Sequence, residues 1–161
     1  MKNVVITHYV RSPFAPAFKG ELATVRPDEL AAQVVRALVE RTTVDPELIE
    51  DLILGCAFPE AEQGLNVARL ILFIADLPRS IAGTTVNRFC GSSMQSIHMA
   101  AGAIQMNAGD AFICAGVESM SRVPMTGYNP MPHPALYEKY PQAYMGMGET
   151  AENLVEKYSI S

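Results

Sequence analysis

One cysteine, Cys90, has neighbours that suit it for covalent chemistry. The β-branched residues before it predict a strand, and Gly91-Ser92-Ser93 after it opens a helical pattern. The thiol is therefore predicted to lie on a strand-to-helix turn at the carboxyl edge of a sheet, where open α/β sheets bind ligands. The small residues leave room for an acyl group, and the first N–H groups of the helix would stabilise a thiolate or an oxyanion. These features predict that Cys90 is a nucleophile.

A nucleophilic thiol at this place needs a base. A helix amino terminus stabilises a negative charge by roughly 0.3 to 2 kcal/mol, which is too little to ionise a free thiol fully at neutral pH. The nearest histidine, His98, lies eight residues along the same helix. At a rise of ~1.5 Å per residue it is about 12 Å away, outside hydrogen-bonding reach. His8 is more typical of a local polar contact and His133 of a solvated loop, so no base is evident.

Most buried cysteines act simply as small hydrophobic residues. Cys56 and Cys114 fit that interpretation, because each lies in an apolar segment that predicts a buried strand. Cys90 differs by its position on the turn. The three cysteines are far apart and form no CxxC pair, which is typical of a reducing compartment, either the cytoplasm or an organelle matrix.

The composition excludes several classes of protein. The chain has 161 residues, one domain's worth, and 49% of them are hydrophobic, as in a packed globular fold. A net charge of −5 and scattered basic residues argue against a nucleic-acid partner. The longest apolar run, Leu70 to Ala75, is too short to cross a bilayer, so no membrane insertion is expected.

Apolar segments with the length of buried strands alternate with helical patterns along the first part of the chain. This alternation predicts an α/β fold with a mostly parallel sheet and helices on both faces. The predicted strands lie at 4–6, 52–56, 83–89 and 111–117, and the predicted helices begin near Pro27, Asn66, Ser92 and Thr150.

A Pro-rich segment follows residue 123 and has no period of its own. It predicts an excursion loop leading to a further subdomain. We therefore expect an α/β domain over residues 1–123 and the start of a second domain over residues 124–161.

The segment around Cys90 resembles the acyl-enzyme cysteine motif of the thiolases. The resemblance is collinear over nearly the whole chain, and the Gly91-Ser92-Ser93-Met94 variant is most similar to the degradative 3-ketoacyl-CoA thiolases. The segments that carry it are Arg11-Ser12-Pro13-Phe14, Gly64-Leu65-Asn66-Val67-Ala68-Arg69, Val86-Asn87-Arg88-Phe89-Cys90-Gly91-Ser92-Ser93-Met94-Gln95-Ser96-Ile97, Gly116-Val117-Glu118-Ser119-Met120-Ser121 and Met147-Gly148-Glu149-Thr150-Ala151-Glu152-Asn153.

The resemblance implies a layered α/β/α thiolase-like fold and a specific chemistry. Thiolases cleave 3-ketoacyl-CoA with CoA, or condense two acyl-CoA molecules, through an acyl group held on a cysteine. Cys90 would be that cysteine, its own N–H would contribute to an oxyanion hole, and Met147 would line the acyl pocket. CoA and acyl-CoA are substrates, and no cofactor is implied. The strand around Thr84 to Phe89 would pair across the two-fold axis of a homodimer, or of each dimer in a homotetramer.

The chain departs from the family in what it does not contain. A complete thiolase has a second half, which supplies an activating His, an Asn that holds a catalytic water and a second Cys that acts as acid and base. None of these motifs occurs here. The resemblance thus implies an amino-terminal fragment that lacks the last strand of its sheet and most of the loop domain, and that is inactive alone.

Other interpretations remain open at this level. A β-ketoacyl synthase relative would place a cysteine on the same turn of the same fold. A non-catalytic thiolase-like lipid carrier or structural protein would need no base at all. A redox-switch thiol is a third alternative, although no resolving cysteine lies nearby in sequence. A reading frame that continues beyond Ser161 with His and Cys motifs would favour the enzyme.

Overall fold

The computed structural model describes residues 2–161. They form two compact units, one ending at Tyr128 and the other spanning Asn129–Ser161. The first unit contains a parallel sheet of three strands with helices on both faces, which confirms the predicted α/β class. None of the helices in residues 2–161 is long and apolar enough to cross a membrane.

The first unit alternates strands and helices along the chain. Its strands are β1 (Asp51–Gly55), β2 (Ala82–Val86) and β3 (Phe112–Gly116), and its helices are α1 (Pro27–Arg41), α2 (Val67–Ile74) and α3 (Ser92–Gln105). β1 lies in the centre, with β2 and β3 parallel to it on either side. The last residue of β1, Gly55, is level with Val86 on β2 and with Gly116 on β3. The carboxyl ends of all three strands therefore meet at one edge.

The two faces of the sheet are covered by different helices. Leu52 and Leu54 of β1 are fully buried in one cluster with residues of α1 and α2. On the opposite face, the Cys114 thiol donates to the backbone oxygen of Ser96 on α3 at 3.5 Å. Because both faces are covered, β1 is apolar at nearly every position rather than at alternate ones.

The strand predicted at residues 4–6 is absent. Val5 and Ile6 are 72% and 74% exposed, and no ladder forms there. The segment begins near the amino end of β3, where Lys2 pairs with Asp110, two residues before the strand, at 2.6 Å. Phe18 N–H then donates to Ser121 Oγ at 2.9 Å, beyond the far end of β3. The prediction is wrong because an apolar run identifies residues that favour burial, but a strand also needs a hydrogen-bonded neighbour, and residues 2–161 provide none.

The second unit has no buried core of its own. It consists of α4 (Pro134–Lys139), a 3₁₀ turn (Pro141–Tyr144) and α5 (Met147–Tyr158), none of which contains a buried residue. His133 Nδ1 accepts from Leu136 N–H at 3.2 Å and so caps α4. The helix predicted near Thr150 is α5. The assignment of residues 124–161 to a loop domain stays a prediction.

Candidate active site

Cys90 lies on the connection between β2 and α3, in a single 3₁₀ turn, Phe89–Gly91. The residue is exposed. Since the three parallel strands end at the same edge, the turn that carries the thiol lies at the edge where β1 and β3 also end. The structure thus places Cys90 on a strand-to-helix turn, as the sequence predicts, and its catalytic role stays a prediction.

Side chains from both ends of this turn hold its backbone. Asn87 Oδ1 accepts from Phe89 N–H at 2.8 Å. From the helix side, Ser92 Oγ accepts from Arg88 N–H at 2.8 Å and donates to the oxygen of Phe89 at 2.6 Å. Phe89 has φ +45°, in the left-handed region that is unfavourable for a bulky residue. These side-chain bonds stabilise the unfavourable conformation immediately before Cys90.

Two glycines let the first turn of α3 lie directly on the sheet. A Cβ on Gly55 would be 2.4 Å from Ser92 C, and a Cβ on Gly116 would be 2.7 Å from Ser93 Cβ. Both distances are shorter than any side chain allows. The ends of β1 and β3 therefore define the position at which α3 begins, two residues after Cys90.

The amino terminus of α3 is suited to an anion. Its N-cap residue, Gly91, offers no side-chain acceptor, and the first turn of α3 contains no acidic residue. The first N–H groups of a helix have no partner within the helix. The N–H of Ser92, the first residue of α3, already donates to the oxygen of Phe89, so it is the dipole of the helix that favours negative charge beside the thiol.

Within the described residues of the first unit, no histidine forms a hydrogen bond with the Cys90 thiol. His98 is exposed on α3, His8 is exposed in the amino-terminal segment, and His133 caps a helix of the second unit. Within residues 2–161 the thiol makes no hydrogen bond with a side chain or the backbone. That Cys90 needs a base from elsewhere stays a prediction.

The two remaining thiols are unsuited to nucleophilic chemistry. Cys56 is 1% exposed, and burial, followed by the nearby Glu118 carboxylate, raises its pKa to about 12. Burial also raises the pKa of the half-buried Cys114, with a further contribution from the Asp51 carboxylate. Both groups are therefore held as neutral thiols, as expected for structural cysteines.

A set of polar contacts at the strand ends could not be found from the sequence. We call it the strand-end network and define it as Ala57, Gln63, Asn87, Glu118 and Ser119. Gln63 is fully buried in the 3₁₀ turn after β1. Its Nε2 donates to Glu118 Oε1 at 2.7 Å, and its Oε1 accepts from Ser119 N–H at 2.6 Å. The only signal in the sequence is a lone glutamine in a predicted loop.

The same network reaches the Cys90 turn through Ala57. Glu118 Oε2 accepts from Ala57 N–H at 2.7 Å. Asn87 Nδ2 donates to the oxygen of Ala57 at 2.8 Å. The turns after all three strands are thereby joined by side-chain hydrogen bonds.

The other predicted site residue, Met147, lies in the second unit. It is the first residue of α5 and is 69% exposed. Its contribution to an acyl pocket stays a prediction.

Comparison with known proteins identifies the family. Residues 4–161 match the thiolase amino-terminal domain. The chain is 50% identical over its whole length to a 3-ketoacyl-CoA thiolase of Bacillus subtilis, of which it covers 41%. It is 47% identical over 95% of its length to a 3-ketoacyl-CoA thiolase of Acinetobacter baylyi, of which it covers 39%. A third relative of the same description, from Idiomarina loihiensis, is 42% identical over the full chain, which covers 42% of it.

The chain thus spans about two fifths of the length of these curated relatives. The match takes in nearly the whole chain, including the turn after β2 that carries the exposed Cys90. This chain belongs to the thiolase family and carries that family's amino-terminal domain.

Proposed function

We propose that the complete protein is a 3-ketoacyl-CoA thiolase that carries its acyl group on Cys90. One observation supports this most directly. Of the three thiols, Cys90 alone is exposed, and it lies two residues before the first residue of α3. The relatives that are 50% and 47% identical to this chain are described as 3-ketoacyl-CoA thiolases.

The proposed reaction has two half-reactions. In the first, the Cys90 thiolate attacks the 3-keto carbon, and the bond between carbons 2 and 3 breaks. The electron pair remains on carbon 2, which takes a proton and leaves as acetyl-CoA. In the second, the thiol of free CoA loses its proton and attacks the Cys90 thioester. The cysteine is released and a shortened acyl-CoA departs. The reverse sequence condenses two acyl-CoA molecules.

This chain supplies the nucleophile and part of the oxyanion site. We propose that the Cys90 N–H and the first turn of α3 stabilise the negative oxygen of the tetrahedral intermediate, because fixed N–H groups need no reorganisation as charge develops. The activating His, the water-holding Asn and the second Cys are proposed to come from the rest of the complete protein. Without them, the 161-residue chain alone is expected to be inactive.

We further propose that Met147 lines the acyl pocket and that residues 124–161 begin the domain that holds CoA. CoA and acyl-CoA would be the only small-molecule partners, with no added cofactor. The protein would act in the cytoplasm, or in an organelle matrix in a eukaryote.

Two free sheet edges suggest how the complete protein is assembled. The outer edge of β2 has no neighbour within residues 2–161, and its Thr84 and Thr85 are only half-buried. We propose that the strand and turn from Thr84 to Phe89 meet their copy in a homodimer, or in the dimers of a homotetramer. β3 also lacks a neighbour on its outer side within residues 2–161. We propose that a later strand of the complete protein pairs there and orders residues 4–6.

Intact-mass analysis of the complete protein after treatment with acetoacetyl-CoA tests this function. We expect one acetyl adduct that maps to Cys90 and disappears when free CoA is added. An adduct on another residue, or turnover without any adduct, would contradict the proposal. A complete protein that binds acyl-CoA but neither acylates nor turns over would instead be the non-catalytic carrier.

A further inference from the structure

Gln63 is an unusual polar residue because it is fully buried yet lies in a connecting turn. Both ends of its amide are used. Nε2 donates to the oxygen of Phe58 at 2.9 Å and to Glu118 Oε1 at 2.7 Å, while Oε1 accepts from Ser119 N–H at 2.6 Å. Phe58 follows β1, whereas Glu118 and Ser119 follow β3. A single amide therefore joins the turns after two neighbouring strands.

Ala57 connects this amide to the turn after β2. Its N–H donates to Glu118 Oε2 at 2.7 Å, and its oxygen accepts from Asn87 Nδ2 at 2.8 Å. Glu118, which also bonds to Gln63, thus holds the N–H of Ala57. Asn87, the first residue after β2, holds its oxygen.

Asn87 completes the connection to the nucleophile. Its second amide atom, Oδ1, accepts from Phe89 N–H at 2.8 Å, one residue before Cys90. The Phe58 and Phe89 rings also contact each other, with centroids 6.0 Å apart. Every step between Gln63 and the Cys90 backbone is thereby a short hydrogen bond, a covalent bond or a ring contact.

We propose that Gln63 is a positioning residue for Cys90: its buried amide, acting through Glu118, Ala57 and Asn87, fixes the turn that carries the thiol. The inference rests on the proposed function of Cys90 as the acyl carrier. Gln63 touches neither the thiol nor any group that would react. Gln63 acts by fixing the position of the Cys90 thiol and of the Cys90 backbone N–H relative to the first turn of α3.

The expected size of this effect follows from the sensitivity of catalysis to geometry. A displacement of about 1 Å at a reacting atom can lower a rate by as much as about a hundredfold. Phe89 has an unfavourable positive φ, so the turn is free to relax once its bonds are weakened. Loss of the Gln63 amide also leaves Ser119 N–H and Glu118 Oε1 without this partner, which loosens both sides of the connection.

The first test compares Gln63→Leu with Glu62→Gln in the complete protein. Leucine keeps most of the buried volume and removes the amide. Glu62 is the preceding residue, and its carboxylate bonds to Arg122 and Arg26 rather than to the strand-end network, so it serves as the matched control. We expect Gln63→Leu to lower the rate of Cys90 acylation by acetoacetyl-CoA by about tenfold to a hundredfold. The dissociation constant of CoA from the unacylated protein should stay within about twofold, because no CoA contact is removed.

The second test exchanges donor and acceptor without changing side-chain size. Gln63→Glu should slow acylation because it places a carboxylate against the Glu118 carboxylate. Glu118→Gln should also slow it, because the new amide NH₂ must face either the Gln63 NH₂ or the Ala57 N–H. In the double variant, the carboxylate at position 63 can accept from Ser119 N–H and from the amide at position 118. The carbonyl of that amide can still accept from Ala57 N–H. The oxygen of Phe58 loses its donor in Gln63→Glu and in the double variant alike, so these two differ only in the pairing with position 118. We expect the double variant to acylate several times faster than Gln63→Glu.

The outcomes separate this inference from the proposed function. A wild-type protein that forms no adduct on Cys90 would contradict the function itself. A wild-type protein that acylates normally, together with a folded Gln63→Leu variant that acylates at the rate of Glu62→Gln, would overturn the positioning role alone. If Gln63→Leu does not fold, the acylation rates of Gln63→Glu, Glu118→Gln and the double variant test the positioning role instead. No slowing in the exposed Glu118→Gln variant, or no recovery in the double variant, would overturn the proposal.

Discussion

Gly55 at the end of β1 lies directly against Ser92, the first residue of α3: a Cβ on Gly55 would be 2.4 Å from the Ser92 carbonyl carbon. No rotamer change relieves this approach, because the nearest atoms belong to the backbone of Ser92 and Ser93. The close contact brings the helix terminus, and with it the Cys90 turn, to the carboxyl edge of the sheet.

Gly55→Ala should therefore destabilise the complete protein by about 1–3 kcal/mol, the usual range for overpacking a filled site. The expected result is a lower thermal midpoint. The matched control is Gly102→Ala within α3, where a Cβ meets nothing within 4 Å. This change should stabilise the helix by roughly 0.5–1 kcal/mol. A loss of stability in the control would show instead that another part of the complete protein packs on that face of α3.

Cys90→Ser should abolish both the acyl adduct and thiolysis, because a hydroxyl at this place is a much weaker nucleophile than a thiolate. The volume change is small and the residue is exposed, so the fold should be retained. Activity assays and circular dichroism of the complete protein measure the two effects. Substantial residual turnover by a folded variant would remove Cys90 from the mechanism.

The three thiols of this chain should differ in their rates of alkylation. Cys90 is exposed and should react with iodoacetamide near neutral pH. Burial raises the pKa of Cys56 to about 12, so its thiolate fraction at neutral pH is very small and increases only at strongly alkaline pH. Cys114, whose pKa burial also raises, should likewise react slowly. Peptide mass mapping of the native protein checks the order, and rapid labelling of Cys56 would contradict it.

The ion pairs of Glu62 should make stability depend on pH. The Arg122 guanidinium donates to Glu62 Oε2 at 2.9 Å and holds the pKa of that carboxyl below its usual range. A lowered pKa in the folded state stabilises the protein above the pKa of the unfolded chain, and the stabilisation is lost as the pH falls through the folded value. Glu62→Gln should therefore lower the thermal midpoint at neutral pH, and the difference from the wild type should disappear in acid. An equal difference at every pH would exclude the ion pair as its cause.

The sequence predicted those features that depend on a short stretch of chain. Apolar runs located β1 and β3, and β-branched residues located β2, although β2 ends at Val86 and the predicted strand reached Phe89, which lies in the 3₁₀ turn. The same is true of the Cys90 turn, because a β-branched segment followed by small residues defines both the end of a strand and the start of a helix. These patterns also sufficed for the resemblance to the thiolases, which the match over residues 4–161 confirms.

Features that depend on a partner distant in the chain were decided only by the tertiary structure. Residues 4–6 have the composition of a strand, but without a neighbouring strand in residues 2–161 they stay exposed. Gln63 and Glu118 are 55 positions apart, and their hydrogen bond exists only because β1 and β3 end level with each other. Local conformation follows from covalent neighbours, whereas burial and hydrogen-bond partners follow from how the strands align, which no single segment specifies.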